Sequence, residues 1–131
     1  MIVLDASATL ELLLNTPLAE QVANHALVAG VSLHAPHLID VEIAQVLRRL
    51  VRKQQIDSAR ALTAFEDLRD LGITRYPHDV LLEGIWTLRD NATAYDAAYV
   101  ALSLALDATL VTGDEALATI PAKGLRVHIV R

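Results

Sequence analysis

Residues 92–117, ATAYDAAYVALSLALDATLVTGDEAL, decide the fold, because they predict a helix, a turn and a strand in direct succession. Asp96 lies in the first turn of the predicted helix, and Asp114 follows the predicted strand Thr109–Thr112, where another helix would begin. Sites in open α/β sheets lie at the carboxyl ends of strands, beside the amino termini of helices. Both acids would reach one such edge, and we expect a metal site or an acid/base site there.

The rest of the chain alternates short apolar strands with helices. The other predicted strands are Ile2–Leu4, Val31–Leu33, Ile73–Tyr76 and Arg126–Val130. The other predicted helices are Ala8–Leu14, one from Pro17 to about Gly30, His37–Gln54, one from Asp57 or Ser58 to Leu71, and one from Pro77 to about Arg89. This alternation is typical of a parallel sheet covered on both faces. The sequence therefore predicts a three-layer α/β/α fold with a short, mostly parallel central sheet.

Composition limits the class of protein. The chain has 131 residues, the size of a single domain, and 53% of them are hydrophobic, which leaves apolar surface for a partner. No apolar run approaches the roughly 20 residues of a membrane helix. The amino terminus lacks the basic-then-apolar layout of a signal peptide, and there is no cysteine. We expect no thiolate metal site, no membrane association and a cytoplasmic location.

Four carboxylates occupy strand ends or early helical turns: Asp5, Glu42, Asp96 and Asp114. If the strands bring them together, they repel one another and raise one another's pKa unless cations neutralise them. Oxygen ligands select hard cations such as Mg²⁺ or Mn²⁺. Such ions can bind a scissile phosphate, activate a water and stabilise the leaving oxygen. The pattern therefore indicates a metal-dependent nuclease, and the formal net charge of −5 excludes only a simple basic nucleic-acid-binding protein.

Each of these acids also has a structural interpretation. Asp5 can cap the first helix, in place of Ser7. Asp96 follows Thr93 by three residues, an arrangement that resembles a capping box. Asp114 can be a turn or cap residue. Taken one at a time these signals are weak, and only their combined positions indicate a site.

Four sequence pieces occur together and in order: IVLDAS at 2–7, Glu42 with the AQVLRR that follows at 44–49, AYDAAYVALS at 94–103, and TLVTGDEAL at 109–117. With these pieces the chain resembles the PIN-domain ribonucleases of the VapC toxin type, over nearly its whole length. The resemblance implies a single PIN domain over residues 1–131.

The resemblance also implies the chemistry. Asp5, Glu42, Asp96 and Asp114 would be catalytic, bind Mg²⁺ or Mn²⁺ and cleave RNA. The hydroxyls of Thr112, Thr93 and Ser7 would support these ligands. A VapB-like antitoxin would neutralise this endoribonuclease toxin by laying a helix or an extended tail along an apolar groove. The family is usually dimeric, so we expect a homodimer.

The alternative is a catalytically silent PIN-like domain or a receiver-like binding domain. A receiver needs an adjacent acidic pair early in the chain and a Lys-Pro near its end, whereas Asp5 stands alone and Lys123 is followed by Gly124. A phosphatase with an aspartyl nucleophile needs a second acid at the position of Ser7. The spacing of these residues disfavours the receiver and the phosphatase.

Other candidate residues have competing interpretations. One dense basic cluster is either an edge that binds RNA phosphates or a solvated helix end; it comprises Arg48, Arg49, Arg52 and Lys53. A zinc site at His34 and His37 lacks further ligands. Asp40 ranks below Glu42 as a ligand, because two residues along a helix turn the side chain to nearly the opposite side. Three aromatic side chains are expected in the core or at an interface rather than under RNA bases: Trp86, Tyr95 and Tyr99.

Overall fold

The structure, a computed structural model, describes all 131 residues and contains one five-stranded sheet. All strands are parallel, in the order β3-β2-β1-β4-β5. The strands are β1 Ile2–Leu4, β2 Leu33–Pro36, β3 Thr74–Tyr76, β4 Thr109–Thr112 and β5 Arg126–Ile129. The helices are α1 Ala6–Leu13, α2 Ala19–Ala26, α3 Leu38–Arg52, α4 Ser58–Asp70, α5 Leu82–Thr87, α6 Ala94–Ala105 and α7 Glu115–Ala118. The predicted three-layer fold with a parallel sheet flanked by helices is confirmed.

The two central strands carry the core. Val3 and Leu4 of β1 and Leu110 and Val111 of β4 are fully buried, as expected for parallel strands that helices cover on both faces. Leu4 pairs with Val111, so both strands end at the same level of the sheet. The segments that follow β1 and β4, which carry Asp5 and Asp114, therefore emerge side by side.

Strand boundaries match the predictions best in β1 and β4. β1 and β4 have the predicted limits, and β3 and β5 are each one residue shorter. The predicted strand Val31–Leu33 is wrong, because the strand runs over Leu33–Pro36 and pairs Ile2 with Leu33. Pro36 is the last residue of this strand and lies beyond the last residue paired with β1, where its missing N–H costs no bond to β1.

Three helices differ from the predictions. α1 begins at Ala6, two residues before the predicted start at Ala8. Its N-cap is Asp5 rather than Ser7, and the Asp5 carboxylate accepts a hydrogen bond from the Ala8 N–H at 2.9 Å. α2 covers only the middle of the predicted Pro17–Gly30 helix. The helix predicted from Pro77 is divided into a 3₁₀ turn, Asp79–Leu81, and α5. None of the helices combines the length and the apolarity that crossing a bilayer requires.

α6, the helix that carries Asp96, is positioned by close packing against α5. Gly84 of α5 faces Ala101 of α6, and a Cβ added at Gly84 would lie 2.9 Å from the Ala101 Cβ. That separation is shorter than two methyl groups tolerate, so the absence of a side chain at Gly84 sets the distance between the helices.

We predict that Gly84→Ala destabilises the protein. Alanine improves helix propensity by roughly 1 kcal/mol, but overpacking a rigid contact costs about 1–3 kcal/mol, so we expect a net loss of roughly 1 kcal/mol. Chemical denaturation measures the free energy of unfolding. Glu83→Ala, at the exposed neighbouring position of α5, is the control and should stay within about 0.5 kcal/mol of the wild type. A Gly84→Ala variant more stable than the wild type would contradict the close packing.

Candidate active site

A cavity of about 500 Å³ opens beside the carboxyl ends of β1 and β4. All four predicted acids line it, and they come from four separate segments of the chain: Asp5, Glu42, Asp96 and Asp114. More than half of the lining residues are hydrophobic, and they include Leu10, Leu38, Val41, Val46 and Leu117. The fold thus brings the acids to one concave surface, as the sequence analysis expects.

Asp5 is the most constrained of these acids. It directly follows β1, is only 4% exposed, and has hydrogen-bond donors on both carboxylate oxygens. Its Oδ1 accepts from the Ala8 N–H at 2.9 Å and from the Ser7 hydroxyl at 2.8 Å. Its Oδ2 accepts from the Thr112 hydroxyl at 2.5 Å. These contacts fix the carboxylate at the floor of the cavity.

The same two hydroxyls tie Asp5 to the loop that carries Asp114. The Ser7 Oγ accepts a hydrogen bond from the Gly113 N–H at 2.8 Å, and the Thr112 Oγ1 accepts one from the Asp114 N–H at 2.8 Å. A side chain at Gly113 would crowd the Ser7 Oγ at 3.3 Å. Asp114 itself caps α7 through an Oδ1 contact with the Ala116 N–H at 2.9 Å.

The other two acids come from helices that face each other across the cavity. Asp96 is in the first turn of α6, where Thr93 is the N-cap and its Oγ1 accepts from the Asp96 N–H at 3.2 Å. Glu42 lies in α3 and accepts a hydrogen bond from the Tyr99 hydroxyl at 2.6 Å. Thr93 therefore supports the backbone that holds Asp96, and Tyr99 contacts a site carboxylate directly.

Tyr99 is the site residue that sequence reasoning missed. The sequence analysis places it in the core or at an interface, and it is indeed buried at 2% exposure, but it also lines the cavity and its hydroxyl contacts Glu42. The available signal was its spacing, because residues three apart on a helix share a side, and Tyr99 follows Asp96 by three.

The site concentrates negative charge. Burial raises the pKa of Asp5, with a smaller contribution from Asp114, although hydrogen bonds from Ala8, Thr112 and Ser7 oppose the shift. Burial likewise raises the pKa of Glu42 and of Asp96, and neighbouring carboxylates add to both shifts. Burial also raises the pKa of Tyr99, and Glu42 adds to that shift, so its phenol stays protonated and donates.

No acid of the cavity forms an ion pair with a basic side chain. The ion pairs of the structure join Arg75 to Asp40, Arg126 to Asp107, and Arg131 to Glu115. None of them includes a cavity acid. Carboxylates that repel one another and lack a positive partner favour binding of a cation.

The donor set fits a hard cation, although the side chains are not arranged around one. No group of three or more His, Asp or Glu side chains is placed to hold a single ion. Asp5, Glu42 and Asp114 each have an oxygen engaged by a donor within the protein. A cavity lined by carboxylates, in a chain without cysteine, suits Mg²⁺ or Mn²⁺ once side-chain rotamers adjust.

The predicted basic cluster is divided between two surfaces. Arg49 lines the cavity with the acids, whereas Arg48 and Arg52 line a separate groove of about 370 Å³ between α3 and α4. Lys53 is the C-cap of α3 and lines neither surface. Because each helical residue turns the side chain by about 100°, adjacent arginines face different ways. Of the cluster, only Arg49 therefore lies beside the acids, and RNA binding by these four residues stays a prediction.

The other candidates lie outside the acid cluster. Asp40 is paired with Arg75 at 2.7 Å, away from the cavity. His34 hydrogen bonds to Ser32 and Tyr76, each at 2.8 Å, and belongs to no metal-binding group. Two aromatic residues assigned to the core or an interface are exposed and therefore not in the core: Tyr95 at 64% and Trp86 at 68%.

Comparison with known proteins identifies relatives over nearly the whole chain. A family model described as PIN domain matches residues 3–128. The VapC ribonuclease Mb0985 of Mycobacterium bovis is 49% identical over 114 residues, which cover 87% of this chain and 86% of that protein. Ribonuclease VapC1 of Mycobacterium tuberculosis is 41% identical over 130 residues, covering 98% and 97%.

Solved structures share the fold. The crystal structure of PAE2754 from Pyrobaculum aerophilum has a TM-score of 0.70 at 23% identity and covers 96% of this chain and 82% of that one. The crystal structure of VapBC2 from Rickettsia felis, bound to a DNA fragment from their promoter, has a TM-score of 0.73 at 15% identity and covers 100% of both. At these identities the likeness concerns the fold alone.

We predict that Thr112→Val destabilises the metal-free protein. Valine has the same shape, but it removes a donor from the buried Asp5 and an acceptor from the Asp114 N–H. A hydrogen bond to a charged group contributes about 1.5–3 kcal/mol to the free energy of unfolding, so we expect a loss of about that size although Ser7 and Ala8 still donate to Asp5. Denaturation in EDTA measures the loss. Thr109→Val, at the half-buried start of the same strand, is the matched control, and equal stabilities of the two variants would refute the bridging role.

Proposed function

The chain belongs to the PIN-domain family, and we propose that within it the protein is a metal-dependent endoribonuclease toxin of the VapC type, which hydrolyses RNA phosphodiester bonds. The observation that carries the proposal is one cavity lined by Asp5, Glu42, Asp96 and Asp114, none of which has a cationic partner. Relatives at 49% and 41% identity are named VapC ribonucleases, which supports the same reaction. Residues 1–131 would act as a single PIN domain.

We assign Mg²⁺ or Mn²⁺ binding to those four carboxylates. The ion would supply Lewis-acid activation of the scissile phosphate and of the attacking water. Thr112 and Ser7 would hold Asp5 in one orientation, since both hydroxyls donate to its carboxylate. Thr93 would hold the first turn of α6, and with it Asp96.

RNA would enter along the side of the cavity where Arg49 lies. Arg49 is the one arginine among the lining residues, and a guanidinium there can contact a backbone phosphate beside the acids. Arg48, Arg52 and Lys53 lie outside the cavity, and their contribution would be limited to long-range attraction of the RNA.

A VapB-like antitoxin is the proposed partner. The cavity is lined by hydrophobic residues as well as by the acids, among them Leu38, Val41 and Val46. A helix or an extended tail could bury these side chains and cover the site at the same time. The likeness to the VapBC2 structure from Rickettsia felis fits this assignment at the level of the fold.

We also propose that the protein is a homodimer in the cytoplasm. Leu82 and Trp86 expose large apolar side chains on α5, outside the acid cavity, and such side chains are common at subunit interfaces. The absence of cysteine fits a reducing compartment.

We predict that Asp96→Asn lowers RNA cleavage at least about 100-fold, because a metal ligand loses its charge. The backbone contact with Thr93 remains, so the fold should be retained. The pKa of Asp96 is raised in the folded state. Its contribution to stability is therefore fully present below the pKa of the unfolded state and is lost as pH rises through the pKa of the folded state. At pH 7 the ionised carboxylate is therefore a cost, and the variant should be at least as stable as the wild type in EDTA.

The assay compares cleavage of RNA with Mg²⁺ or Mn²⁺ and with EDTA. Asp107→Asn is the matched control, because Asp107 pairs with Arg126 away from the cavity and should be dispensable for cleavage. Undiminished cleavage by Asp96→Asn, or cleavage that resists EDTA, would overturn the metal site. A folded wild type that binds Mn²⁺ but cuts no RNA would favour the catalytically silent binding domain.

We further predict that Arg49→Gln weakens RNA binding more than Arg48→Gln. Both variants lose the same charge, but only Arg49 lies in the cavity. Loss of one phosphate contact should reduce the slope of log affinity against log salt by about 0.7 for single-stranded RNA. Fluorescence anisotropy with a labelled oligoribonucleotide, in the Asp96→Asn background, measures both quantities. Equal effects of the two variants on RNA binding would contradict a contact between RNA and Arg49 in the cavity.

A further inference from the structure

The Tyr99 hydroxyl is a buried polar group bonded to one of the acids of the cavity. Tyr99 is only 2% exposed, yet it is one of the residues that line the cavity. The hydroxyl donates to the Glu42 Oε1 at 2.6 Å, a short hydrogen bond of the kind formed with a charged acceptor. Tyr99 belongs to the hydrophobic core, and the packing around its ring restricts where the hydroxyl can lie.

The position of this hydroxyl joins segments that are distant in sequence. Tyr99 and Asp96 share one side of α6, and Glu42 lies on α3, 57 residues before Tyr99. One phenol therefore links the two helices that carry Glu42 and Asp96.

Packing alone does not account for a tyrosine at this position. Phenylalanine would fill the same space, and a buried hydroxyl is unfavourable unless it is hydrogen-bonded. Ser103, a buried polar residue on the same helix, satisfies its hydroxyl locally by donating to the Tyr99 carbonyl at 2.8 Å. The Tyr99 hydroxyl instead reaches a carboxylate on another helix, and that carboxylate lines the cavity.

We propose that Tyr99 is a positioning residue for the metal site, which fixes Oε1 of Glu42 and leaves Oε2 for the cation. The inference rests on the proposed function in one respect, namely that Glu42 is a metal ligand. A glutamate has three rotatable side-chain bonds, and holding it in the metal-free protein lowers the entropy lost when the ion binds. Residues that orient a ligand in this way contribute to metal affinity without touching the metal.

The decisive variant is Tyr99→Phe, which removes only the hydroxyl. We expect the dissociation constant for Mn²⁺, measured by isothermal titration calorimetry without RNA, to rise about 10-fold. The matched control is Tyr76→Phe, which removes a hydroxyl that contacts the His34 Nδ1 at 2.8 Å outside the cavity. The control should bind Mn²⁺ as the wild type does.

A double-mutant cycle separates positioning from a general structural effect. If Tyr99 acts through Glu42, then Tyr99→Phe should add no further loss of Mn²⁺ affinity in a Glu42→Ala background. Equal losses in both backgrounds would overturn the proposal, because the hydroxyl would then act through folding or through Asp5. An unchanged Mn²⁺ affinity of Tyr99→Phe alone would overturn it as well.

These outcomes are distinct from a failure of the ribonuclease proposal, because the titration uses no RNA. Mn²⁺ binding that depends on Tyr99 through Glu42, in a protein that cuts no RNA, supports the positioning role and refutes only the enzyme. Metal-dependent cleavage with an unaltered Tyr99→Phe affinity refutes only the positioning role. A wild type that does not bind Mn²⁺ refutes both.

Discussion

The hydrogen bond between the Thr112 hydroxyl and the buried Asp5 carboxylate is the contact on which the site depends. It joins the ends of the adjacent strands β1 and β4, whose residues Val3, Leu4, Leu110 and Val111 are fully buried, so the core fixes the separation of its partners. Ser7 and Gly113 add a second link beside it. Asp5 is thus placed by the buried centre of the sheet, although the Asp114 that follows β4 is on a loop.

The same arrangement lowers the stability of the fold while no cation is bound. Carboxylates at Asp5, Glu42 and Asp96 are partly or wholly desolvated, and their raised pKa values report that their ionised forms are disfavoured. The protein offsets part of this cost with hydroxyl and amide donors instead of with arginine or lysine. Donors of this kind hold a carboxylate in place and leave its charge available to a metal.

Sequence reasoning succeeded where a local pattern carries the information. Thr109–Thr112 is an apolar run between turn residues, so the limits of β4 were predictable, and the acids after β1 and β4 followed from them. Long-range partners were not predictable. The contact of Tyr99 with Glu42 depends on how α3 packs against α6, and the limits of β2 depend on pairing with β1. The division between Arg48 and Arg49 required the rotation of α3 about its axis.

The 107 residues that separate Asp5 from Thr112 have a consequence for biosynthesis. Asp5 leaves the ribosome 107 residues before Thr112, its hydrogen-bond donor, and before the end of the strand that carries that donor. A nascent chain therefore lacks the floor of the cavity, and also lacks Asp114, until almost all of the domain has been made. The four acids can therefore come together only after β4 and Asp114 have been made. The emerging polypeptide carries no complete acid cluster before that point.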